Sequence, residues 1–331
     1  MNIMALHSSG ERQVLAETAG MPPFDASQIE GHNVDLHLCA VDESGKVRAQ
    51  CSLWWNNVPP FQTHQVGVIG HYASHGDEPA SALLQQALTT LRRHGCTIAI
   101  GPLDGNTWRH YRFVTDTGRE EAFFLEPSNP PEWPLQFERA GFEPLAEYYS
   151  ALNTNLTLED ERVAHHENRL AERGIVIRSA TGGNLSEQLG RIYAVSRIAF
   201  SQNLLYTELP EEAFRAQYAR ILPYARPELV LLAERGTELA GYLFAIPDLA
   251  QVARGESIDT FLIKTVAILP QLELRGLGSV LVARAQQQGL QMGFRRCIHA
   301  LMHKNSVSRN ISGHYAATMR RYTLFSRELT S

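Results

Sequence analysis

Apolar residues along the chain follow two spacings, the two-residue alternation of half-buried strands and the three-to-four-residue repeat of amphipathic helices. In the first half, strand-like segments enclose turn residues and lead into a long helical segment that Gly95 ends. The elements predicted there are a hairpin at 35–41 and 47–55, a strand at 66–72, helices at 80–94 and 132–140, and strands at 96–100 and 148–152. This order predicts a sheet covered by helices.

The second half repeats this order after a charged segment. Residues 156–173 carry many charges and few apolar side chains, so we interpret them as a solvated connecting helix. The elements predicted beyond it are strands at 175–179, 229–234, 239–246, 260–269, 296–302 and 319–329, and helices at 186–200, 210–222 and 276–292. The shared order predicts a duplicated α/β (α+β) fold with domains at 1–155 and 174–331, each a mostly antiparallel mixed sheet flanked by helices.

Composition narrows the class of protein. A length of 331 residues fits two domains, and 44% apolar with 20% charged residues is ordinary for globular chains. The net charge of −5 has the wrong sign for a nucleic-acid partner. No apolar stretch reaches the roughly 20 residues of a membrane span, and no secretory signal opens the chain, so we expect a cytoplasmic protein. The four cysteines form no CxxC pair, which argues against a metal site.

The most informative segment is a turn with two glycines between a predicted strand and a predicted helix. The strand ends at Pro270, the turn reads Arg275-Gly-Leu-Gly278, and the helix continues from Ser279. Glycines allow a ligand to approach the backbone closely, and the free amides at a helix start, together with the helix dipole, favour an anion. The segment therefore predicts a site for a pyrophosphate.

Residues 175–329 resemble the acetyl-CoA-binding core of the GNAT acyltransferase superfamily. The features that carry the resemblance are the strand ending at Pro270, the two-glycine turn and its helix, Gly293-Phe294, the next strand and Asn305. The resemblance implies that the CoA pyrophosphate binds the amides of Arg275, Gly276, Leu277, Gly278 and Ser279. It also implies that the pantetheine arm pairs with backbone at Val266 and Ile268 and touches Asn305 or Ser308.

The resemblance leaves the proton-transfer groups open. Relatives carry a tyrosine as general acid where this chain has Ser312, and Tyr315 or His314 are the substitutes. The candidates for a general base are a water chain and three side chains, namely His299, His303 and Asp248. Where the family's turn opens with Gln or Arg, this chain has Glu273. The oxyanion would be met by the amide of Val266 or Ile268.

The first half resembles the same superfamily more weakly, through 66–72, the helix after Pro79, the strand to Ile100 and Gly141-Phe142. Its turn, 75–79, contains two acids and a proline, which would repel phosphate and remove an amide donor, so we interpret this half as degenerate. The loop at 104–112 would then be a substrate-side or interdomain surface.

The function predicted from the resemblance is acetyl transfer from acetyl-CoA to an amine of a small molecule or peptide, by direct attack in a ternary complex. Two alternatives remain, a non-catalytic acyl-CoA-binding or protein-interaction module, and acyl transfer to a thiol or carrier-protein arm. We expect residues 200–206 to line the acceptor pocket and both domains to shape it. The oligomeric state stays open.

Overall fold

Strands dominate the computed structural model, which describes residues 1–17, 20–158, 160–182, 185–305 and 308–329. The strands are β1 (Asn2–Leu6), β2 (Ala16–Glu17), β3 (Leu36–Val41), β4 (Lys46–Trp54), β5 (Val66–Ser74), β6 (Ile98–Gly101), β7 (Phe113–Asp116), β8 (Glu143–Asn153), β9 (Ile175–Ser179), β10 (Val230–Arg235), β11 (Glu238–Pro247), β12 (Thr260–Ile268), β13 (Arg296–His303) and β14 (Ala317–Glu328). The helices are α1 (Ser9–Gln13), α2 (Gln28–Gly31), α3 (Asp77–Arg93), α4 (Glu132–Arg139), α5 (Glu161–Glu172), α6 (Leu185–Ala199), α7 (Glu211–Ala219), α8 (Ala250–Ala253), α9 (Leu277–Gln291) and α10 (Ser308–Tyr315). Within these ranges, no helix is long and apolar enough to cross a membrane.

Each half contains one parallel strand pair joined by a long helix, and its other long strands pair antiparallel. Strand β5 runs through α3 into the parallel β6, and β12 runs through α9 into the parallel β13. Helix α3 buries Leu83, Leu84 and Leu91 against the first-half strands, because these residues recur at helical spacing. The fold class predicted from the sequence, a mostly antiparallel mixed sheet flanked by helices, is confirmed.

The described strands form one continuous sheet of 14 strands, where the sequence pattern had predicted two sheets. Its order is β1-β3-β4-β5-β6-β14-β8-β13-β12-β11-β10-β9, with β2 beside β4 and β7 beside β14. The last strand, β14, lies between β6 and β8 of the first half, and β8 pairs with β13 of the second. Each half therefore completes the sheet of the other. Alternation specifies which face of a strand is buried, but it does not specify which strand is its neighbour.

Helix α5 occupies the charged segment that joins the halves; most of its residues are exposed, and one face packs on the second-half core. Leu170 is buried and Val163 packs beside it on the core that α9 covers, because the two residues lie seven apart on one helix face. Two arginines of this segment reach the turn before α9. Arg169 donates to the carbonyl of Arg275, and Arg173 donates to the carbonyl of Glu273 at 2.7 Å. The segment thus holds the two-glycine turn in place.

Candidate active site

A cleft opens where β12 and β13 separate. The two strands pair only from Thr260 to Ile263 and from Arg296 to His299, and beyond this point β12 pairs with β11 alone. Half of the backbone N–H and C=O groups of β12 beyond Ile263 therefore face the cleft without a strand partner among the described residues. This edge can pair with an extended ligand as a further strand would.

A cavity of about 1240 Å³ fills this cleft and extends between the two halves. This volume exceeds the usual few hundred to about 1,000 Å³ of a pocket for one small molecule. Its described lining comes from the first half at 107–112 and 144–148, and from the second half at 199–206, 263–269, 278–282 and 299–305. The expectation that residues 200–206 and both halves shape one pocket agrees with this lining. Trp108 ties the two walls together, because its Nε1 donates to the carbonyl of Thr207 at 2.7 Å.

The structure brings four of the proposed cofactor-binding residues to the cavity wall. Val266 and Ile268 lie on the unpaired part of β12, Gly278 lies in the first turn of α9, and Asn305 follows β13. These residues come from three different elements that meet at the end of the cleft. That an arm lies along β12 and a phosphate at α9 stays a prediction.

The start of α9 offers amide donors without a competing cap. Gly276 is the N-cap residue, in the left-handed conformation at φ +84°, and the helix start has no side-chain cap. The amides of Leu277, Gly278 and Ser279 have no acceptor within the helix. Leu277 is fully buried and anchors the turn in the core, which leaves Gly278 facing the cavity. A helix start of this kind stabilises a bound anion.

The two charged residues beside the glycines of the turn have different contacts. Arg275 is exposed, and its carbonyl accepts a hydrogen bond from Arg169. The carboxylate of Glu273 pairs with Arg235 at 3.0 Å, so a neighbouring cation compensates its charge. Glu273 consequently does not oppose an anion at α9 as an unpaired acid would.

Gly276 is confined by conformation and by a close neighbour. A Cβ at this position would lie 2.5 Å from Cγ of His166 on α5, and the left-handed backbone disfavours any L side chain. We expect Gly276→Ala to lower the free energy of unfolding by about 2 kcal/mol or more, since the left-handed conformation alone costs about 1–2 kcal/mol. Urea denaturation of the full chain measures this loss.

The double variant Gly276→Ala with His166→Ala separates the two causes. Removing the imidazole relieves the collision and leaves the conformational cost, so the double variant should recover part of the loss. Gly31→Ala is the control, because a Cβ at Gly31 meets open space and its φ is not positive. Equal stability of Gly276→Ala and the wild type would contradict the packing of α5 on this turn.

The two histidines of β13 are neutral in this setting. Burial lowers the pKa of His299 to about 4, and Nε2 of this ring lies 3.3 Å from Nε2 of Gln286. Burial and the nearby charge of Arg112 lower the pKa of His303. The amide of Asn305 donates to Nδ1 of His303 at 3.1 Å, so the proton of the neutral ring resides on Nε2. His303 therefore faces the cavity as a neutral ring whose Nδ1 lone pair is already engaged.

Other sequence-predicted catalytic candidates lie away from the cavity lining. Tyr315 and Ser312 are buried in α10, and neither hydroxyl has a hydrogen-bond partner among the described residues. Burial raises the pKa of Tyr315 to about 12. Asp248 accepts the amides of Phe124 and Ala250 and serves that loop instead. The side chain of Ser308 is outside the described part of the structure. The geometry thus brings His303 and Asn305 together, but not Tyr315 or Ser312.

Two cations of the cavity were not predicted as site residues. Lys264 is the bulged residue of β12, because Phe244 pairs with Thr265 and Ala245 with Ile263, so it lies at the point where the strands separate. Burial and Arg112 lower the pKa of Lys264 to about 8. The sequence signal was a lysine in the middle of an apolar strand. Arg112 lies in the first-half loop 104–112, which the sequence predicted as a substrate-side or interdomain surface without singling out this residue.

The corresponding cleft of the first half is filled by the chain itself. Strands β5 and β6 pair over three residues only, and then the amide of Leu103 donates to the carbonyl of Ile69 at 2.9 Å. The amide of His71 donates to Asp104 at 2.6 Å. A Cβ at Gly70 would collide with the carbonyl oxygen of Leu103. The loop after β6 therefore takes the strand edge that remains open on β12.

Comparison with known proteins supports the fold and leaves the family unassigned. No protein-family model and no curated protein matches the chain. One solved structure that matches is described as a GCN5-related glucosamine N-acetyltransferase region in a fungal multi-domain GH3 β-N-acetylglucosaminidase. The match covers 91% of this chain and 34% of that longer protein, with a TM-score of 0.55 and 14% identity.

Two bacterial structures match over more of their own length. A GCN5-related N-acetyltransferase from Anabaena variabilis matches 99% of the chain and 73% of its own, with a TM-score of 0.54 and 11% identity. Another from Sphaerobacter thermophilus matches 93% of the chain and 83% of its own, with a TM-score of 0.52 and 13% identity. At these identities the likeness concerns the fold, and the chain has the fold of the GCN5-related N-acetyltransferases.

Proposed function

We propose that this protein transfers the acyl group of acetyl-CoA to the amine of a small molecule or peptide in the cleft between β12 and β13. The observation that carries the proposal is the cleft itself, with one unpaired strand edge leading to the uncapped start of α9 and one cavity that continues to the opposite wall. Its volume accommodates a donor and an acceptor together, as transfer in a ternary complex requires.

The residues present fit the expected donor. The amides of Leu277, Gly278 and Ser279 would bind its pyrophosphate, with Gly278 on the cavity wall, and the open edge of β12 at Val266 and Ile268 would hold its extended arm. Asn305 forms the facing wall. When bound, acetyl-CoA supplies an acyl thioester that an amine can attack with release of the thiol.

The contribution of the chain is mainly positioning and electrostatics. A backbone amide of β12, at Val266 or Ile268, is the donor we propose for the negative oxygen that develops during attack. His303 adds a neutral polar wall, and it is a poor base because protonation of Nδ1 would break the hydrogen bond from Asn305. The amine proton then leaves to water. We assign no catalytic role to Tyr315 or Ser312, since neither lines the cavity.

An acceptor screen tests this function. The full chain is incubated with acetyl-CoA and a panel of amines, thiol release is followed with a chromogenic reagent, and acetylated products are identified by mass spectrometry. The proposal predicts amine-dependent thiol release that Gly278→Leu loses. Binding of acetyl-CoA without transfer to any amine would instead favour the non-catalytic module, and transfer to a thiol panel would favour the carrier-arm alternative.

A further inference from the structure

Arg112 is a buried cation in an unusual position. Its side chain is 5% exposed, it lines the cavity, and the backbone holds it in the left-handed conformation at φ +65°. Its guanidinium lies 4.1 Å from the ring centroid of Tyr111 and 4.2 Å from that of Tyr148. The two rings stand at 86° to each other and so hold the guanidinium on two sides.

The hydrogen-bonding capacity of Arg112 is largely unused. Its Nε is buried and has no hydrogen-bond partner among the described residues, and its one recorded polar side-chain contact is a long bond of 3.5 Å from Nη1 to the carbonyl of Leu301. It has no carboxylate within ion-pair distance in the described part of the chain. A buried cation without an anionic partner and a left-handed backbone at a non-glycine residue both lower stability, and such features cluster at functional sites.

A second cation adds to the charge at this end of the cavity. The charged side chains of the described lining are Arg112, Lys264, Lys304 and Glu147. Glu147 pairs with Lys304, which cancels their charges. The acid whose charge acts on Lys264 is Glu126, and this carboxylate already pairs with Arg320 at 2.8 Å. Arg112 and Lys264 are thus left as two neighbouring cations that repel each other.

The positive charges of Arg112 and Lys264 lie at one end of the cleft, and the start of α9, which would bind the phosphate, lies at the other end. Lys264 stands where β12 and β13 separate, and Ile268 stands four residues further toward α9, about 13 Å along an extended strand. Arg112 comes from the first-half wall, beside Tyr148 of β8. The cations therefore face the space left for the acceptor.

We propose that the acceptor is an amine that also carries a carboxylate, and that Arg112, assisted by the charge of Lys264, binds this carboxylate. The proposal rests on the proposed function and names its substrate class. A guanidinium held by two rings offers its remaining N–H groups in one plane, which matches the two oxygens of a carboxylate. Binding would satisfy Nε and relieve the repulsion between the two cations.

Paired acceptors test this assignment. The probes are amino acids as free acids and as their carboxamides, which differ only in the anionic group, with acetyl-CoA as donor. We expect the wild type to favour the acids by tenfold or more in kcat/KM. Arg112→Gln should lower kcat/KM for the acids by about thirtyfold or more, mainly through KM, and should change the amides little. Arg112→Lys should restore part of the preference, and Arg92→Gln, an exposed charge on α3, is the matched control.

Two further measurements separate this inference from the proposed function. Calorimetry with acetyl-CoA should give the same affinity for Arg112→Gln and the wild type; a loss would assign Arg112 to the donor and overturn the inference. If no amine is acetylated, the carboxylate site is tested by binding instead. Thermal shift then compares the binding of N-acetyl amino acids with the binding of the corresponding N-acetyl amino acid amides. Equal use or equal binding of acids and amides would overturn the carboxylate site. A strong preference for succinyl-CoA over acetyl-CoA that depends on Arg112 would mean that Arg112 binds a carboxylate of the acyl group. This result would also overturn the proposed acceptor site.

Discussion

A chain that ends at Ala316, and so lacks β14, should fail to fold cooperatively. Strand β14 pairs with β6 on one side and β8 on the other, and it buries Tyr322, Leu324 and Phe325 almost completely. Each large apolar side chain contributes about 1.5–3 kcal/mol on burial, and the lost strand pairing adds to this. The sum is comparable to a total stability of about 5–15 kcal/mol.

Removal of an edge strand is the matched control for this truncation. Strand β1 pairs with β3 alone and is only partly buried, so a chain that begins at His7 should be less stable but should still unfold in one transition. Circular dichroism during urea denaturation compares the two. A truncated chain, 1–316, that unfolded as cooperatively as the full chain would contradict the exchange of strands between the halves.

The same exchange bears on the predicted domain boundaries. The segment 174–331 lacks β8, which in the full chain lies between β13 and β14 and forms part of the cavity wall. We therefore expect that this segment alone does not reproduce the site. The division at 155 and 174 stays a prediction about the repeat in the sequence, since the sheet itself is not divided there.

Gly278→Leu should abolish acetyl-CoA binding while the chain stays folded. Gly278 is in the first turn of α9, is buried and lines the cavity, so we expect a leucine there to take up space beside the amides that we assign to the pyrophosphate. Leucine has a higher helix propensity than glycine, so the helix itself should tolerate the change. We expect an affinity loss of a hundredfold or more by isothermal titration calorimetry.

Gly31→Leu is the control for this substitution. A Cβ at Gly31 meets open space and Gly31 does not line the cavity, so the acetyl-CoA affinity of this variant should equal that of the wild type. Circular dichroism and thermal denaturation establish that both variants are folded. Unchanged affinity in a folded Gly278→Leu variant would remove the phosphate site from the start of α9.

Local elements could be predicted from the sequence because their signals are local. The apolar repeat between Ala80 and Leu91 predicted a helix that the structure extends from Asp77 to Arg93, and the helix predicted at 276–292 is observed at Leu277–Gln291. The two glycines at the start of the second of these helices pointed to the open end of the cleft. Gly278, Val266, Ile268 and Asn305 do meet at one cavity.

Long-range relations could not be predicted in the same way. Nothing in the alternation of 319–329 indicates that β14 enters the first half, because pairing depends on edges that several strands offer equally. Arg112 reaches Leu301 across 189 positions of sequence, and no local pattern connects these residues. Tyr315 and Ser312 were candidates because of the resemblance to the acyltransferase superfamily, but both side chains are buried on α10.

The central claim is that one cleft of this duplicated fold, in the second half, binds acetyl-CoA. Native mass spectrometry of the full chain with acetyl-CoA counts the bound molecules directly. The account predicts one per chain, and none for Gly278→Leu, because the loop after β6 fills the first-half cleft. Two molecules per chain would contradict the closed first-half cleft, and none in the wild type would contradict the proposed function.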